Sequence, residues 1–121
     1  VFNKPILSVE KRYRIQKTLK DYIEAHLKEQ ITLTDLGVVA KVSPRTIQRL
    51  FKSRFGVTPI AYIQARRLHY VRRDLAIKKI PKITVADIAN KWGLWHMGQF
   101  ASDYRQLFGE LPSQTLDRTK R

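Results

Sequence analysis

Residues 31–59, ITLTDLGVVAKVSPRTIQRLFKSRFGVTP, decide the fold of this chain, because the pattern returns at 83–112 as ITVADIANKWGLWHMGQFASDYRQLFGELP. Ile31-Thr32-x-x-Asp35-Leu36 recurs as Ile83-Thr84-x-x-Asp87-Ile88, and Phe55-Gly56-x-x-Pro59 recurs as Phe108-Gly109-x-x-Pro112. The first pair is offset by 52 residues (31 to 83) and the second by 53 (55 to 108), so the second copy has gained one residue. Repeats this long are too few to stack into a solenoid and instead imply two small, similar subdomains.

Each copy reads as a pair of helices. Thr32 is a good N-cap with Asp35 at N3, the shorter form of a capping box. Ser43-Pro44 restarts the chain, since Ser caps free N–H groups and Pro at N1 has none to lose. The helix that follows turns Ile47, Leu50, Phe51 and Phe55 inward, and Gly56 is placed to end it in a left-handed conformation. Two helices joined by so tight a turn form a helix-turn-helix. In the second copy Thr84 caps, Asp87 stands at N3, Gly93 marks the turn, and Phe100, Tyr104, Leu107 and Phe108 make the inward face. Phe100 matches Ile47 at offset 53 whereas Thr84 matches Thr32 at 52, which puts the extra residue in the turn between the paired helices.

Outside the copies, Ser8 can cap a first helix with the stripe Ile15, Leu19, Tyr22, Ile23 and Leu27. From Pro59 to Lys79 no breaker interrupts the chain, and Leu68, Val71 and Leu75 are spaced for a helix of roughly 30 Å. Ile80-Pro81 ends it, because the residue before proline avoids the α region. No alternating strand signal is present, so the expected fold is all-α: two helix-turn-helix subdomains joined by a long linker helix, about seven helices in all. The expected division is an irregular segment 1–7, a first subdomain 8–58, a linker 59–80, a second subdomain 81–117 and a frayed basic tail 118–121.

Twenty-four Lys and Arg stand against ten Asp and Glu, a formal charge of +14 on 121 residues. Such an excess attracts polyanions. No apolar run is long enough to span a bilayer and no signal-peptide pattern opens the chain, which favours nucleic acid over membrane and a soluble, intracellular protein. Val1 is not an initiator methionine, which reads as a fragment that an unseen domain could precede. There is no cysteine, hence no disulfide or thiolate metal site. His26, His69 and His96 lack the spacing of a metal site or nucleophile–base pair, and phosphate-cradling glycine loops are absent. No catalytic residue, cofactor or metal is expected. Trp92 and Trp95 flank Gly93 and read as anchors of the second core.

After Ser43, removing the core face leaves Arg45, Thr46, Gln48, Arg49 and Lys52 outward. Arg pairs bidentately with guanine, Gln with adenine, and Lys or Thr with phosphate or base edges. Arg45, Gln48, Arg49 and Lys52 fall at i, i+3, i+4 and i+7 on one ridge suited to a major groove. The matching helix offers His96, Gln99, Ser102, Arg105 and Gln106; Gln99 and Ser102 suit bases or phosphates, Arg105 a phosphate or solvent, and Asp103 would repel phosphate. The linker's Arg66, Arg67, Arg72, Arg73, Lys78 and Lys79, against a single Asp74, read mainly as a solubilising spacer, with diffuse phosphate contacts as the other option.

With these residues assembled, the chain resembles the DNA-binding domain of AraC/XylS-type bacterial transcription regulators over residues 8–117. The resemblance rests on VSPRTIQRLFKSRFGVTP, on YIQARRL, and on ITVADIANKWGLWHMGQFASDYRQLFGELPSQTL. The last segment looks like the branch containing the ethanolamine-operon regulator. The resemblance implies binding of one asymmetric double-stranded DNA site across two adjacent major grooves, often with recruitment of RNA polymerase, and an effector-binding or dimerisation domain absent from this chain. By position it places base-facing roles on Arg45, Gln48 and Arg49, and on Met97 through Gln99 with Ser102. Met97, Gly98 and Ser102 depart from the family toward weaker readout, Leu94 replaces a usual Phe, and Lys41 stands where a turn glycine is common. A different class, a non-specific architectural or RNA-binding basic domain, predicts strong salt dependence with little sequence preference. A polymerase-contacting module is a third reading, compatible with the first.

Overall fold

The computed structural model describes residues 8–77 and 82–120. These form α1 (Val9–His26), α2 (Leu33–Ala40), α3 (Pro44–Phe55), α4 (Pro59–Ile77), α5 (Val85–Lys91), α6 (Met97–Phe108) and α7 (Pro112–Lys120), with no strand among the described residues. The helices divide into two units, the first made of residues up to His26 with Ile31–Tyr62, the second of Leu27–Gln30 with the chain from Ile63 onward. The linker is therefore not a module of its own: α4 opens in the first unit and continues in the second. Segment 1–7, Lys78, Lys79 and the Ile80-Pro81 stop lie outside the described residues. Among the described residues no helix is long and apolar enough to cross a membrane.

In the first unit Ser8 caps α1, its hydroxyl accepting from the Lys11 N–H at 3.1 Å. Ile15, Leu19 and Ile23, four residues apart, are buried, and α1 packs on α2 and α2 on α3. Thr32 and Asp35 form the capping box reciprocally: the Thr32 N–H donates to the Asp35 carboxylate at 2.9 Å and the Asp35 N–H to the Thr32 hydroxyl at 3.1 Å. These bonds hold the Asp35 carboxyl below its ordinary range. Gly37, within α2, is required by the turn that follows, because a Cβ on it would lie 2.9 Å from the Val42 carbonyl oxygen. Lys41 ends α2 at φ 58°, ψ 39°, a left-handed position without glycine. Ser43 then caps α3 through the Thr46 N–H at 3.1 Å with Pro44 at its start. Leu36, Ile47, Leu50 and Phe51 close the core. Burial of side chains of this size contributes about 1.5–3 kcal/mol each.

The second unit repeats this construction. The Thr84 cap has φ −104°, ψ 163° against −105°, 161° at Thr32, and Asp87 completes the same reciprocal box. The paired helices are separated by 92–96 here and by 41–43 in the first unit, two residues more, because the extra residue falls in this turn and α5 ends one residue earlier than α2 does. Gly93 is left-handed at φ 82°, as are Gly56 and Gly109 at the ends of α3 and α6. α7 packs on both α5 and α6.

Three inward or tail assignments change. Trp95 does not anchor the core; it is 69% exposed while Trp92 is 7% exposed. The longer turn buries Leu94 instead, so only one of the two indoles is needed inside. Leu107 is 45% exposed. The buried stripe of α6 steps by four residues through Phe100 and Tyr104 to half-buried Phe108, and at about 100° per residue Leu107 has by then rotated away. Arg118 is not in a frayed tail but in α7, where its guanidinium pairs with Glu110.

Candidate nucleic-acid interface

The α3 surface of the first unit is built by its cap and core. With Ile47, Leu50 and Phe51 turned inward, Arg45, Gln48, Arg49 and Lys52 are all exposed, as the i, i+3, i+4, i+7 spacing requires. No acidic residue occurs anywhere in α3, PRTIQRLFKSRF, so nothing on the helix itself offsets this charge. Thr46 differs from expectation. Its hydroxyl lies 2.9 Å from that of Ser43 and its N–H is the one Ser43 caps, so it is half-buried and engaged in starting the helix.

The corresponding surface of α6 in the second unit is poorer. His96 occupies the N-cap without a side-chain cap bond, and His96, Gln99, Ser102, Arg105 and Gln106 are exposed. Gln99, however, donates its amide to Asp103 at 2.8 Å, so the carboxylate lies on the same ridge as the best hydrogen-bonding residue. Nothing stands within 4 Å of where a Gly98 Cβ would be, which leaves the backbone open there.

The cations of α4 have more defined roles than a solubilising spacer. Arg67 donates through Nε to the Leu27 carbonyl at 2.9 Å, through Nη2 to the Glu29 carbonyl at 2.6 Å and through Nη1 to the Gln64 side-chain oxygen at 3.0 Å. Arg66 and Arg73 lie over the Tyr70 ring, which is itself stacked on Trp92 with centroids 4.6 Å apart, and Arg72 lies over Phe108. Asp74, a lone acid in a basic stretch, is buried and accepts from Trp92, Arg73 and Lys91. Sequence reasoning missed this. The available signal was the mismatch between one carboxylate and the buried register of Val71 and Leu75, with an indole N–H in the next helix pair to satisfy it.

The three histidines stay apart. His26 stacks on Tyr22, His69 meets Phe108 edge-on and His96 is at the α6 cap. Burial, with the charges of Arg66 and Arg72, lowers the pKa of His69. Among the described residues no three His, Cys, Asp or Glu side chains are grouped to hold a metal.

Comparison with known proteins agrees with this geometry. A family model described as a helix-turn-helix domain matches residues 36–118. XylDLEGF operon transcriptional activator 3 of Pseudomonas putida is 41% identical over 99 residues, covering 82% of this chain and 30% of that protein. The probable thc operon regulatory protein of Rhodococcus erythropolis is 35% identical over 96 residues, covering 79% of this chain and 29% of its own length. The chain thus spans about 30% of the length of these curated relatives. The DNA-binding domain of AdpA, solved in complex with a target DNA, shares the fold at TM-score 0.73 and 22% identity, over 88% of this chain and 92% of that one. A probable AraC family transcriptional regulator from Rhodopseudomonas palustris superposes with TM-score 0.82 at 34% identity, over 88% of this chain and 97% of that one. This chain belongs to the AraC-type helix-turn-helix family, whose members are DNA-binding transcription regulators rather than enzymes.

Proposed function

We propose that the first unit carries most of the base readout and the second mainly positions the protein, on one asymmetric duplex site whose two elements lie in adjacent major grooves. The observation that carries this reading is the exposed, acid-free ridge Arg45-Gln48-Arg49-Lys52 on α3, set against an α6 ridge that contains Asp103. Arg45 and Arg49 take guanine, Gln48 takes adenine and Lys52 takes phosphate. In α6, Gln99 and Ser102 supply the remaining base or phosphate contacts, with His96 and Arg105 toward the backbone. The whole regulator acts in the bacterial cytoplasm, on the nucleoid, with an effector-binding or dimerisation domain beyond this chain, and recruits RNA polymerase. The segment 83–116 alone supports a place in the ethanolamine-operon branch; a reporter answering to ethanolamine through the full-length protein would test that.

Selection from randomised duplexes at fixed salt tests the core of the proposal. An asymmetric site with two elements about one helical turn apart supports it. Absence of enrichment, with binding that only tracks salt, would replace it with a non-specific basic nucleic-acid-binding domain.

A further inference from the structure

The α6 ridge is poorly equipped for hydrogen-bonded readout, since Gly98 has no side chain and the Gln99 amide is held by Asp103. What the second unit presents at the entry to that helix is an aromatic ring. Trp95, immediately before the His96 N-cap, is 69% exposed, while its turn neighbours Trp92 and Leu94 are buried. Its counterpart in the first unit, Val42 at offset 53, is half-buried. The longer second turn therefore satisfies its core with Trp92 and Leu94 and leaves a third large apolar side chain in water, beside the end of the reading helix that faces base edges in helix-turn-helix docking. Single exposed apolar residues are ordinary on protein surfaces. The position of this one, next to an open glycine backbone in a chain of charge +14, is what selects its partner.

We propose that Trp95 is a DNA-contacting residue of the second unit, its indole packing on the apolar surface of the duplex at a thymine. The 5-methyl group of thymine is the apolar feature that base edges offer in the major groove. The neighbouring deoxyribose faces offer the same chemistry without sequence information. Gly98 contributes by adding no side chain that would hold the turn away from the groove. The proposal rests on the reading that α6 enters a major groove, and it gives the second unit a sequence preference of its own, for thymine, independent of Gln99.

The test compares the wild-type chain with Trp95→Ala and Trp95→Phe on the selected duplex across a salt series. Trp95→Ala should bind on the order of tenfold more weakly. The slope of log affinity against log salt should stay unchanged, because an apolar contact releases no counterions. Trp95→Phe should retain most of the affinity. Thymines of the second element are then replaced singly by deoxyuridine, which removes only the methyl. One such position should weaken the wild type and leave Trp95→Ala unaffected. A wild-type complex indifferent to every deoxyuridine, with Trp95→Ala still weakened at constant slope, would move the ring to a deoxyribose and overturn the thymine assignment. Equal affinity for Trp95→Ala and wild type, or a loss accompanied by a shallower salt slope, would overturn the contact altogether. Failure of the underlying groove assignment would look different: selection on the wild type would return no second element. The deoxyuridine series uses unmodified protein, so it reports even if a variant folds poorly.

Discussion

Asp74 and Trp92, 18 residues apart, are joined by a 2.8 Å hydrogen bond in which the buried indole N–H donates to a carboxylate that is itself only 4% exposed. Arg73 and Lys91 reach the same carboxylate at 3.2 and 3.3 Å. One acid thereby ties α4 to the end of α5, where the turn into α6 begins. Burial pushes the Asp74 pKa up, but the bonds from Trp92, Arg73 and Lys91 outweigh it and the net direction is down. A depressed carboxylate stabilises the fold above its unfolded-state pKa and loses that contribution as pH falls through the folded one. Asp74→Asn should cost about 1–3 kcal/mol in urea unfolding at pH 7. The difference from wild type should shrink as pH drops below the ordinary value of 3.8. A constant difference between pH 7 and pH 2.5 would show that charge is not what the site uses.

Arg49→Ala should relax sequence preference at one or two base pairs of the first element, costing ~1–3 kcal/mol on the best site. Lys52→Ala should weaken specific and random duplexes alike and lower the salt slope by about one. Competition binding with single-base variants separates the two. Equal weakening of all sequences by Arg49→Ala would reassign that residue to phosphate.

Asp103→Asn should strengthen binding. It removes a like charge from the α6 ridge and loosens the hold on Gln99. The expected gain is about two- to fivefold at low salt, fading as screening rises. Weaker binding would mean that the Gln99–Asp103 pair orients the amide for its contact.

Lys41→Gly should stabilise the protein. An L-residue in the left-handed region costs roughly 1–2 kcal/mol, and glycine avoids this while losing about 0.5–1 kcal/mol to unfolded-chain entropy. The net gain, about 0.5–1 kcal/mol, should appear as a higher urea midpoint with unchanged m. A lower midpoint would reveal a contact made by the lysine stem.

Glu110 accepts from Arg118 and from the buried Thr115, whose hydroxyl also lies 2.7 Å from that of Tyr104 on α6. The bonds from Arg118 and Thr115 lower the Glu110 pKa from 4.5 to about 2. Its contribution is therefore complete above about 4.5 and lost as pH falls through about 2. Glu110→Gln should lower the melting temperature at pH 6 and approach wild type near pH 2. Parallel melting curves across that range would show that the carboxylate charge is not what fastens α7 to α6.

The helices and caps were legible because they depend on local chemistry. Thr32 with Asp35, Ser43 with Pro44, and glycine after Phe55 and Phe108 each fix backbone within a few residues. The α3 ridge was legible because helical spacing alone separates Arg45, Gln48, Arg49 and Lys52 from the buried face. Partners distant in sequence were not legible: Arg67 meets the carbonyls of Leu27 and Glu29, and Asp74 meets Trp92, through packing that periodicity does not encode. Trp95 was misplaced for the same reason, since hydrophobicity says that an indole should be covered but not whether Leu94 has already taken the space. Thr46 was expected outward by angle but is half-buried, because its hydroxyl is engaged by Ser43 and its N–H is the one Ser43 caps.

The two capping boxes hold their backbones within two degrees of each other in φ and ψ, using side chains that are absent from either candidate reading ridge. At these two boxes, folding instructions and address are thus written in disjoint sets of residues. Under the proposed two-helix reading, a lineage carrying this chain changes the DNA recognised at one helix by substitution of outward residues alone, while the other helix keeps the protein moored to its former site.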